Sequence, residues 1–199
     1  MKVLVACEYS GRVREAFRAK GHDAWSCDIL PADDHRPFHI QRDIREVLEL
    51  DWLHWDIMIA FPPCTHLASS GARWFKEKEA DGRQQGGIDL FMELAEAKID
   101  KIAIENPVGI MSTRYRKPDQ IINPYDFGDD ASKKTCLWLK NLPLLKPTDY
   151  VEPRIIDGKP RWSNQTDSGQ NRLPPSEDRA KLRSLTYMGI AKAMADQWG

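Results

Sequence analysis

A cysteine directly follows two prolines at the end of an apolar run, in the stretch DIMIAFPPCTHLASSG that covers residues 56–71. Proline fixes φ and removes a backbone donor, so the pair ends a strand and holds the next residues in a rigid, extended turn. Such a turn would aim Cys64 outward from the carboxyl end of a sheet. A thiol placed there is a candidate nucleophile. The alternative is a small buried apolar residue, which is the usual role of a lone cysteine.

Polar groups also follow the other predicted strands. The first strand ends at residues 8–11, the second at Asp28, and a later one at Glu105 and Asn106. In an open α/β sheet, ligands bind at the carboxyl ends of the strands, and a carboxylate after the second strand commonly holds a ribose. The glycine signal is weak, since CEYSGR contains a single glycine. Asp28 and Asp43 have an alternative role as helix caps or solvent-facing residues.

Alternating strands and helices must position these groups. Continuous apolar runs predict strands buried on both faces, and a period of 3.6 residues predicts the helices between them. The predicted strands are residues 2–7, 22–29, 55–61, 100–107 and 134–142, and the predicted helices are residues 13–21, 44–50, 88–99 and the end of the chain. The alternation predicts an α/β fold with a mostly parallel, doubly wound sheet and helices on both faces.

The chain length fits one well-packed domain over residues 1–199. Residues 143–175 contain six prolines and the polar run RWSNQTDSGQNR, which predicts an irregular surface insertion and not a second core. The glycine- and charge-rich residues 69–87 predict a loop.

The composition excludes several classes of protein. The net charge of −1 and the pI near 6.5 give no overall basic field, so any nucleic-acid contact must come from a local patch. The four cysteines are scattered without a CxxC pair, which argues against a zinc site or a disulfide framework and fits a reducing compartment. No apolar run approaches membrane-spanning length. We therefore expect a cytoplasmic protein with no bound metal and no membrane partner.

In their order along the chain, these motifs resemble those of DNA cytosine-5 methyltransferases, in the compact form that phages and prophages carry. VACEYSGRVREAFRAKGH is similar to the first cofactor motif, WSCDI to the acidic strand end, and RDI to the motif whose aspartate meets the adenine ring. FPPC matches the nucleophile motif, IENP is similar to the Glu-Asn motif, and YMGIAKAMADQW resembles the closing motif. The resemblance covers most of the chain and implies a Rossmann-like class I methyltransferase fold.

The resemblance also implies an activity, the transfer of a methyl group from S-adenosylmethionine to C5 of cytosine in DNA. Cys64 would add to C6 of the base, Glu105 would protonate N3, and Asn106 would orient that carboxyl group or bind the exocyclic amine. Lys134, or its neighbour Lys133, would replace the arginines of a family strand that has no clean counterpart here. The expected cofactor contacts are Glu8, Ser10, Gly11, Asp28, Asp43, Phe61, Pro62 and Gly189.

The target cytosine must leave the base stack, because C5 and C6 cannot be reached inside a duplex. Residues 69–87 would either close over the flipped base or remain a solvated loop. The residues expected to contact DNA are Arg73, Lys76, Arg83, Gln84, Gln85, Asn164 and Arg172.

Two departures from the family leave alternatives open. The single glycine of the first motif weakens the case for a tight cofactor site, and it favours a methyltransferase-like binding protein without catalysis. Residues 143–175 are too few for the large target-recognition domain of full-length members. Specificity would then be minimal or supplied by a separate specificity subunit, and RNA or a free nucleotide is an alternative substrate. The sequence names no residue that removes the C5 proton.

Overall fold

The computed structural model of the chain describes residues 1–50, 52–176 and 179–199. Its main sheet contains β1 (Lys2–Ala6), β2 (Asp23–Asp28), β3 (His39–Gln41), β4 (Ile57–Ala60), β5 (Lys101–Pro107), β6 (Gln120–Ile122) and β7 (Thr135–Lys140). The strand order is β3-β2-β1-β4-β5-β7-β6. β1 to β5 are parallel, and β7 lies antiparallel between β5 and β6. The chain therefore reverses its direction of travel across the sheet between β1 and β4, which makes this boundary the switch point.

Helices cover both faces of the sheet. They are α1 (Arg12–Ala19), α2 (Ile44–Leu48), α3 (Phe75–Ala80), α4 (Arg83–Ala95), α5 (Met111–Arg114), α6 (Arg179–Ser184) and α7 (Met188–Trp198). Successive residues of a strand point to opposite faces. Val3 and Val5 accordingly join the core layer that contains α1 and α7, whereas Leu4 and Ala6 join the layer that contains α2, α4 and α5. The predicted fold class is confirmed.

The segment after Cys64 is helical, so the predicted loop over residues 69–87 is wrong. A 3₁₀ helix (Ser69–Trp74) leads into α3, and α4 begins at Arg83 instead of at the predicted Ile88. Gly82 adopts φ 80° and allows the chain to turn between α3 and α4. Gly87 lies inside α4, where a Cβ would come within 3.3 Å of a Leu67 methyl group. The glycines that suggested flexibility serve a turn and a close helix contact.

Residues 143–175 are mostly irregular and contain one small hairpin of β8 (Arg154–Ile156) and β9 (Lys159–Arg161). The segment is fastened to the main domain by an aromatic contact. Trp162 stacks on Tyr125 with ring centroids 4.2 Å apart, and its indole N–H donates to the Val151 carbonyl at 3.2 Å. Trp162 is buried, so this end of the insertion has a fixed position.

The start of α7 approaches the loop at residues 127–129 closely. The Gly189 N–H donates to an Asp129 carboxylate oxygen at 2.8 Å. A Cβ at Gly189 would collide with the Phe127 carbonyl oxygen and lie 2.7 Å from the same Asp129 oxygen. The sequence predicts Gly189 as a cofactor contact, but packing within the chain accounts for the glycine here.

We predict opposite effects for two helical glycine-to-alanine substitutions. Gly189→Ala should lower the free energy of unfolding by about 1–3 kcal/mol, because the added methyl group meets backbone that cannot move aside. Gly86→Ala, in α4, is the control: its Cβ meets nothing within 4 Å, so it should raise stability by up to about 1 kcal/mol through helix propensity. Denaturant unfolding measures both. Equal effects of the two substitutions would contradict the close approach at α7.

Candidate active site

The turn that carries Cys64 begins where β4 ends at the switch point. The Phe61 N–H donates to the Ala6 carbonyl at 2.9 Å, which ties the end of β4 to the end of β1. After Pro62 and Pro63, the Cys64 carbonyl accepts the N–H groups of Leu67 and Ala68 at 3.0 and 2.9 Å. The prolines end the strand and this turn reverses the chain. Cys64 is therefore partly buried at the carboxyl edge of the sheet.

Asn106 fastens this turn to β5. Its side-chain N–H donates to the Pro62 carbonyl at 2.8 Å, and the residue is 1% exposed. A second tie follows, because the Ser69 N–H and hydroxyl both donate to the Val108 carbonyl at 2.9 Å. The Ile110 N–H also donates to the Leu67 carbonyl at 3.0 Å. The family resemblance predicts that Asn106 orients the Glu105 carboxyl group or binds the exocyclic amine of the base, whereas its side chain donates to the turn that carries Cys64.

Glu105 lies beside Asn106 in β5, paired with Leu137 of β7. It lines a narrow pocket with Lys133, Thr135 and Tyr187. Burial raises the pKa of Glu105 above its usual range, while the Lys133 charge and the Thr135 hydroxyl act in the opposite direction. Because a raised carboxyl pKa keeps more of the protonated form at neutral pH, Glu105 is suited to donating a proton.

The Cys64 thiol shares this electrostatic environment. Burial raises the pKa of Cys64, the Glu105 charge raises it further, and the Lys133 and Arg183 charges lower it. The thiol form therefore predominates at neutral pH, and the thiolate fraction grows as the pH rises. The charges of Lys133 and Arg183 favour the thiolate, and that of Glu105 disfavours it. Protonation of Glu105 would therefore lower the pKa of Cys64 and increase the thiolate fraction.

The structure brings Lys133, and not the predicted Lys134, to this site. The Lys133 ammonium donates to the Arg183 carbonyl at 3.0 Å and lies beside Glu105. Lys134 is exposed and lines neither the narrow pocket nor the groove described below. The two residues precede β7, and their side chains lie in different environments. The sequence offered both, without a signal to choose between them.

In the loop between β1 and α1, the residues predicted to contact the cofactor interact with other parts of the chain. Glu8 is 4% exposed, and its carboxylate accepts the Val13 N–H at 2.8 Å and the Ser10 hydroxyl at 3.1 Å. Gly11 adopts φ 71° at the start of α1. A Cβ there would lie 2.8 Å from an Asp34 carboxylate oxygen. Glu8, Ser10 and Gly11 therefore fix the start of the helix.

Two carboxylates converge beside the end of β1. Asp28 ends β2 and accepts the Leu30 N–H at 2.9 Å, while Asp43 caps α2 by accepting the Arg45 N–H at 3.0 Å. Burial raises the pKa of the Cys7 thiol, and the Asp28 and Asp43 charges add to the shift. The charges of both carboxylates thus act on the Cys7 thiol, which follows the end of β1. Asp43 therefore has the alternative role that the sequence allows, that of a helix cap. Its second carboxylate oxygen lies 3.5 Å from the Arg45 guanidinium, and the Asp43 side chain is partly exposed.

These positions fit the nucleoside part of the cofactor that the sequence implies. Carboxylates at the end of β2 and the start of α2 can accept hydrogen bonds from ribose hydroxyls and an exocyclic amine. Phe61 is partly buried beside the same edge, and its aromatic ring supplies apolar surface. The Pro62 carbonyl is engaged by Asn106, so Pro62 shapes the turn.

The predicted DNA contacts after Cys64 divide into two groups. Arg73 and Lys76 are exposed, and the Arg73 guanidinium lies 5.1 Å from the Trp74 ring centroid. Arg83 instead pairs with Glu77 at 2.7 Å and with Asp81. Arg73 and Lys76 are thus the cations of this segment that remain at the surface without a described carboxylate partner.

The two glutamines of this segment are also engaged within the chain. Gln84 is 4% exposed and donates to the His66 carbonyl at 3.3 Å, so it cannot fill the space left by a flipped base. Gln85 is exposed and donates to Asp89 at 2.7 Å, one turn along α4. The helical conformation of residues 83–95 explains both outcomes, because it directs Gln84 towards the core and Gln85 towards solvent.

The other predicted DNA contacts lie at an open groove of about 570 Å³ between the insertion and α6. Asn164 uses both ends of its amide on the backbone of Ser132, at 2.9 and 3.0 Å, and so anchors the insertion. Arg172 is exposed in the groove. Among the residues that the structure describes, three cations and no carboxylate line this groove: Lys133, Arg172 and Arg183. The groove and the narrow pocket of Glu105 share Lys133 and Tyr187.

Arg183 and the helix α6 that carries it are absent from the sequence predictions. The run RAKLRS contains two arginines four residues apart, which is a signal for a short helix with a cationic face. Pro174 and Pro175 just before it favoured an irregular interpretation. In the described ranges, no three His, Cys, Asp or Glu side chains are grouped to hold a metal ion, and no helix is long and apolar enough to cross a membrane.

Comparison with known proteins identifies the fold. No protein family matches the sequence, and no curated protein matches it either. Among solved structures, 59 chains match. One is an E. coli protein described as a "putative DNA modification methyltransferase encoded within prophage", which superposes with a TM-score of 0.51 at 18% sequence identity. The match covers 79% of this chain and 53% of that protein, so this chain spans about half of its length. The chain thus has an α/β fold with a mostly parallel, seven-stranded sheet, and this fold matches that of the E. coli protein over most of the chain.

We predict that three lysine and glutamate substitutions separate the charges acting on Cys64. Glu105→Gln should lower the pKa of the thiol, because it removes a nearby negative charge, and Lys133→Met should raise it. Lys134→Met is the matched control and should leave the pKa unchanged. The rate of Cys64 alkylation by iodoacetamide across pH, followed by peptide mass spectrometry, measures each pKa. A shift in Lys134→Met as large as that in Lys133→Met would contradict the geometry.

Proposed function

We propose that this protein is a DNA cytosine-5 methyltransferase that transfers a methyl group from S-adenosylmethionine to C5 of a flipped cytosine. One observation carries the proposal. Asn106 binds the turn that carries the Cys64 thiol directly to the strand that carries the Glu105 carboxyl group, at the carboxyl edge of a methyltransferase-type sheet. A thiol and a carboxyl group with a raised pKa, with the carboxyl charge acting on the thiol at the ligand-binding edge, suit nucleophilic attack with proton donation.

The residues act in a sequence that balances protons and electrons. The Cys64 thiolate forms a bond to C6 of the cytosine, and the C5–C6 π electrons move through the ring to N3. Glu105 supplies the proton that N3 takes up, so no full negative charge accumulates on the base. S-adenosylmethionine, when bound, supplies an electrophilic methyl group to the nucleophilic C5. The C5 proton then passes to solvent, its electron pair re-forms the C5–C6 double bond, and the bond between C6 and the sulfur breaks to release the Cys64 thiolate. N3 returns its proton to the Glu105 carboxylate.

The neighbouring cations suit the first of these steps. The Lys133 and Arg183 charges lower the pKa of Cys64, and they gain influence once Glu105 is protonated and uncharged. The same two residues line the cationic groove. A phosphate bound there would partly neutralise the positive charge that stabilises the thiolate. We therefore assign Lys133 a role in keeping Cys64 reactive, and not a role in protonating the base.

The groove beside the pocket supports a nucleic-acid substrate. Three cations and no described carboxylate line the groove, which gives a local positive patch in a chain whose net charge is −1. Arg172 and the polar residues around it have room for few base contacts, and Asn164 is already engaged. Each bidentate base contact discriminates by about 1–3 kcal/mol, so we expect a short recognition site of two or three base pairs, or help from a separate specificity subunit.

A binding protein without catalysis is the second candidate. The Glu8 carboxylate occupies the first turn of α1, where ligand anions often bind, and the Cys64 thiol is mostly protonated at neutral pH. Both features are compatible with a methyltransferase fold that holds a nucleotide without acting on it. A methyl-transfer assay separates this candidate from the enzyme.

We predict that Cys64→Ser abolishes methyl transfer without changing the melting temperature, because Cys64 lies in a turn and not in the core. Cys27→Ser is the control: this buried thiol donates to the Arg42 carbonyl at 3.4 Å, a bond that a hydroxyl can retain, so activity should persist. Glu105→Gln should slow the reaction by about a hundredfold, the usual effect of losing a positioned acid.

The assay uses tritiated S-adenosylmethionine with duplex DNA, single-stranded DNA, transfer RNA and deoxycytidine nucleotides. Transfer to DNA alone is the expected result, and transfer to RNA or nucleotides alone would reassign the substrate. Methyl transfer by Cys64→Ser, or the absence of transfer by the wild type to all four substrates, would contradict the proposed enzyme.

A further inference from the structure

The start of α1 has its backbone donors satisfied from within the chain. The Val13 N–H donates to one Glu8 carboxylate oxygen at 2.8 Å, and the Arg14 N–H donates to the other at 3.4 Å. The Arg12 N–H donates to the Ser10 hydroxyl at 3.4 Å. Helix starts normally leave these N–H groups without intrahelical partners. Here the N–H groups of residues 12–14 all have partners.

The space next to these donors is also filled. An extra atom on Gly11 would collide with the Arg14 guanidinium and lie 2.8 Å from an Asp34 carboxylate oxygen. Arg14 is fully buried and is held by Asp34 and by the Ser26 hydroxyl, the latter at 2.9 Å. A ligand anion would have to displace Glu8 from the Val13 N–H, the Arg14 N–H and the Ser10 hydroxyl, or lie against the oxygens of the Glu8 carboxyl group. Neither the donors nor the space is free for a ligand anion.

This arrangement differs from the general use of the first βα turn in α/β sheets. At a switch point, the helix N-terminus commonly takes the negative group of the bound ligand, since its N–H groups and dipole favour an anion. In this chain the buried carboxyl group of Glu8 accepts from those N–H groups. Burial raises the pKa of Glu8, while its hydrogen bonds and the Arg14 charge act in the opposite direction. The neighbouring carboxylates of Asp28 and Asp43 each accept a backbone N–H and keep further lone pairs, which suit a nucleoside and a positive charge.

We propose that Glu8 takes the place of the cofactor carboxylate at α1, so that S-adenosylmethionine is held through its nucleoside, sulfonium and ammonium groups. The carboxylate of the cofactor then contributes little to binding. This inference rests on the proposed function, because it concerns how the same cofactor is recognised.

Calorimetric titration of the full chain with two ligands tests it. S-adenosylmethionine and decarboxylated S-adenosylmethionine differ by the carboxylate alone. The wild-type protein should bind both with dissociation constants within about threefold of each other. A decarboxylated ligand that binds tenfold or more weakly would overturn the inference while leaving the proposed function in place. Failure of both ligands to bind would instead refute S-adenosylmethionine as the cofactor.

Substitutions at Glu8 give a second measurement. Glu8→Ala frees the N–H groups of Val13 and Arg14, so the preference for the carboxylate-bearing ligand should rise at least fivefold. Glu8→Gln keeps one acceptor oxygen and replaces the other with an amide N–H₂ group, and it should move the preference in the same direction by less. Glu15→Ala is the matched control, since it removes a carboxylate from the same helical turn without freeing these donors.

The control should leave the ratio of the two dissociation constants unchanged. An equal change in Glu15→Ala would show that charge in general, and not the position of Glu8, governs the ratio, and would overturn the inference. If Glu8→Ala fails to fold, the wild-type comparison and Glu8→Gln still decide the question. If Glu8→Ala folds and the ratio of the two dissociation constants is unchanged, the inference is likewise overturned.

Discussion

The hydrogen bond from the Asn106 side chain to the Pro62 carbonyl is the constraint on which the candidate site depends. Pro62 belongs to the turn after β4 and Asn106 to β5, so the bond joins two neighbouring strands at the point where their pairing ends. Pro62 and Pro63 have no backbone N–H to continue the strand pairing. The buried Pro62 carbonyl therefore needs a hydrogen-bond donor from elsewhere in the chain. Asn106 supplies one, which fixes the Cys64 turn relative to Glu105. The close approach of Gly109 to the Leu67 carbonyl holds the far side of the same turn.

The charges around this turn form one balanced group. Burial disfavours both the Cys64 thiolate and the Glu105 carboxylate, and the Glu105 charge disfavours the thiolate further. Lys133 opposes both effects, and its own position depends on α6 through the Arg183 carbonyl. The reactivity of the thiol is therefore linked to the groove that borders the insertion. A polyanion bound in that groove would offset the Lys133 and Arg183 charges and so raise the pKa of Cys64. Protonation of Glu105 would remove a negative charge and so lower it.

Much of the sheet could be predicted from the sequence, because apolar runs such as residues 57–60 and 102–104 are long enough to mark buried strands. The strand ends then followed, with Cys64, Asp28 and Glu105 at one edge. Side-chain direction could not be predicted. Gln84 turned towards the core once residues 83–95 formed a helix, and Lys133 rather than Lys134 faced the pocket. The role of Glu8 also depended on three-dimensional structure, since a carboxylate before a helix suits either a ligand or the helix itself.

Trapping of the reaction intermediate tests the central claim most directly. In DNA that contains 5-fluorocytosine, the fluorine at C5 replaces the proton that must leave, so the bond between Cys64 and C6 should persist after methyl transfer. Incubation of the protein with this DNA and S-adenosylmethionine should give a complex that survives denaturation, with the nucleotide attached to the peptide that contains Cys64. The Cys64→Ser variant should give none. A wild-type protein that binds the cofactor and methylates ordinary DNA without forming this complex would contradict the account, as would attachment at another residue.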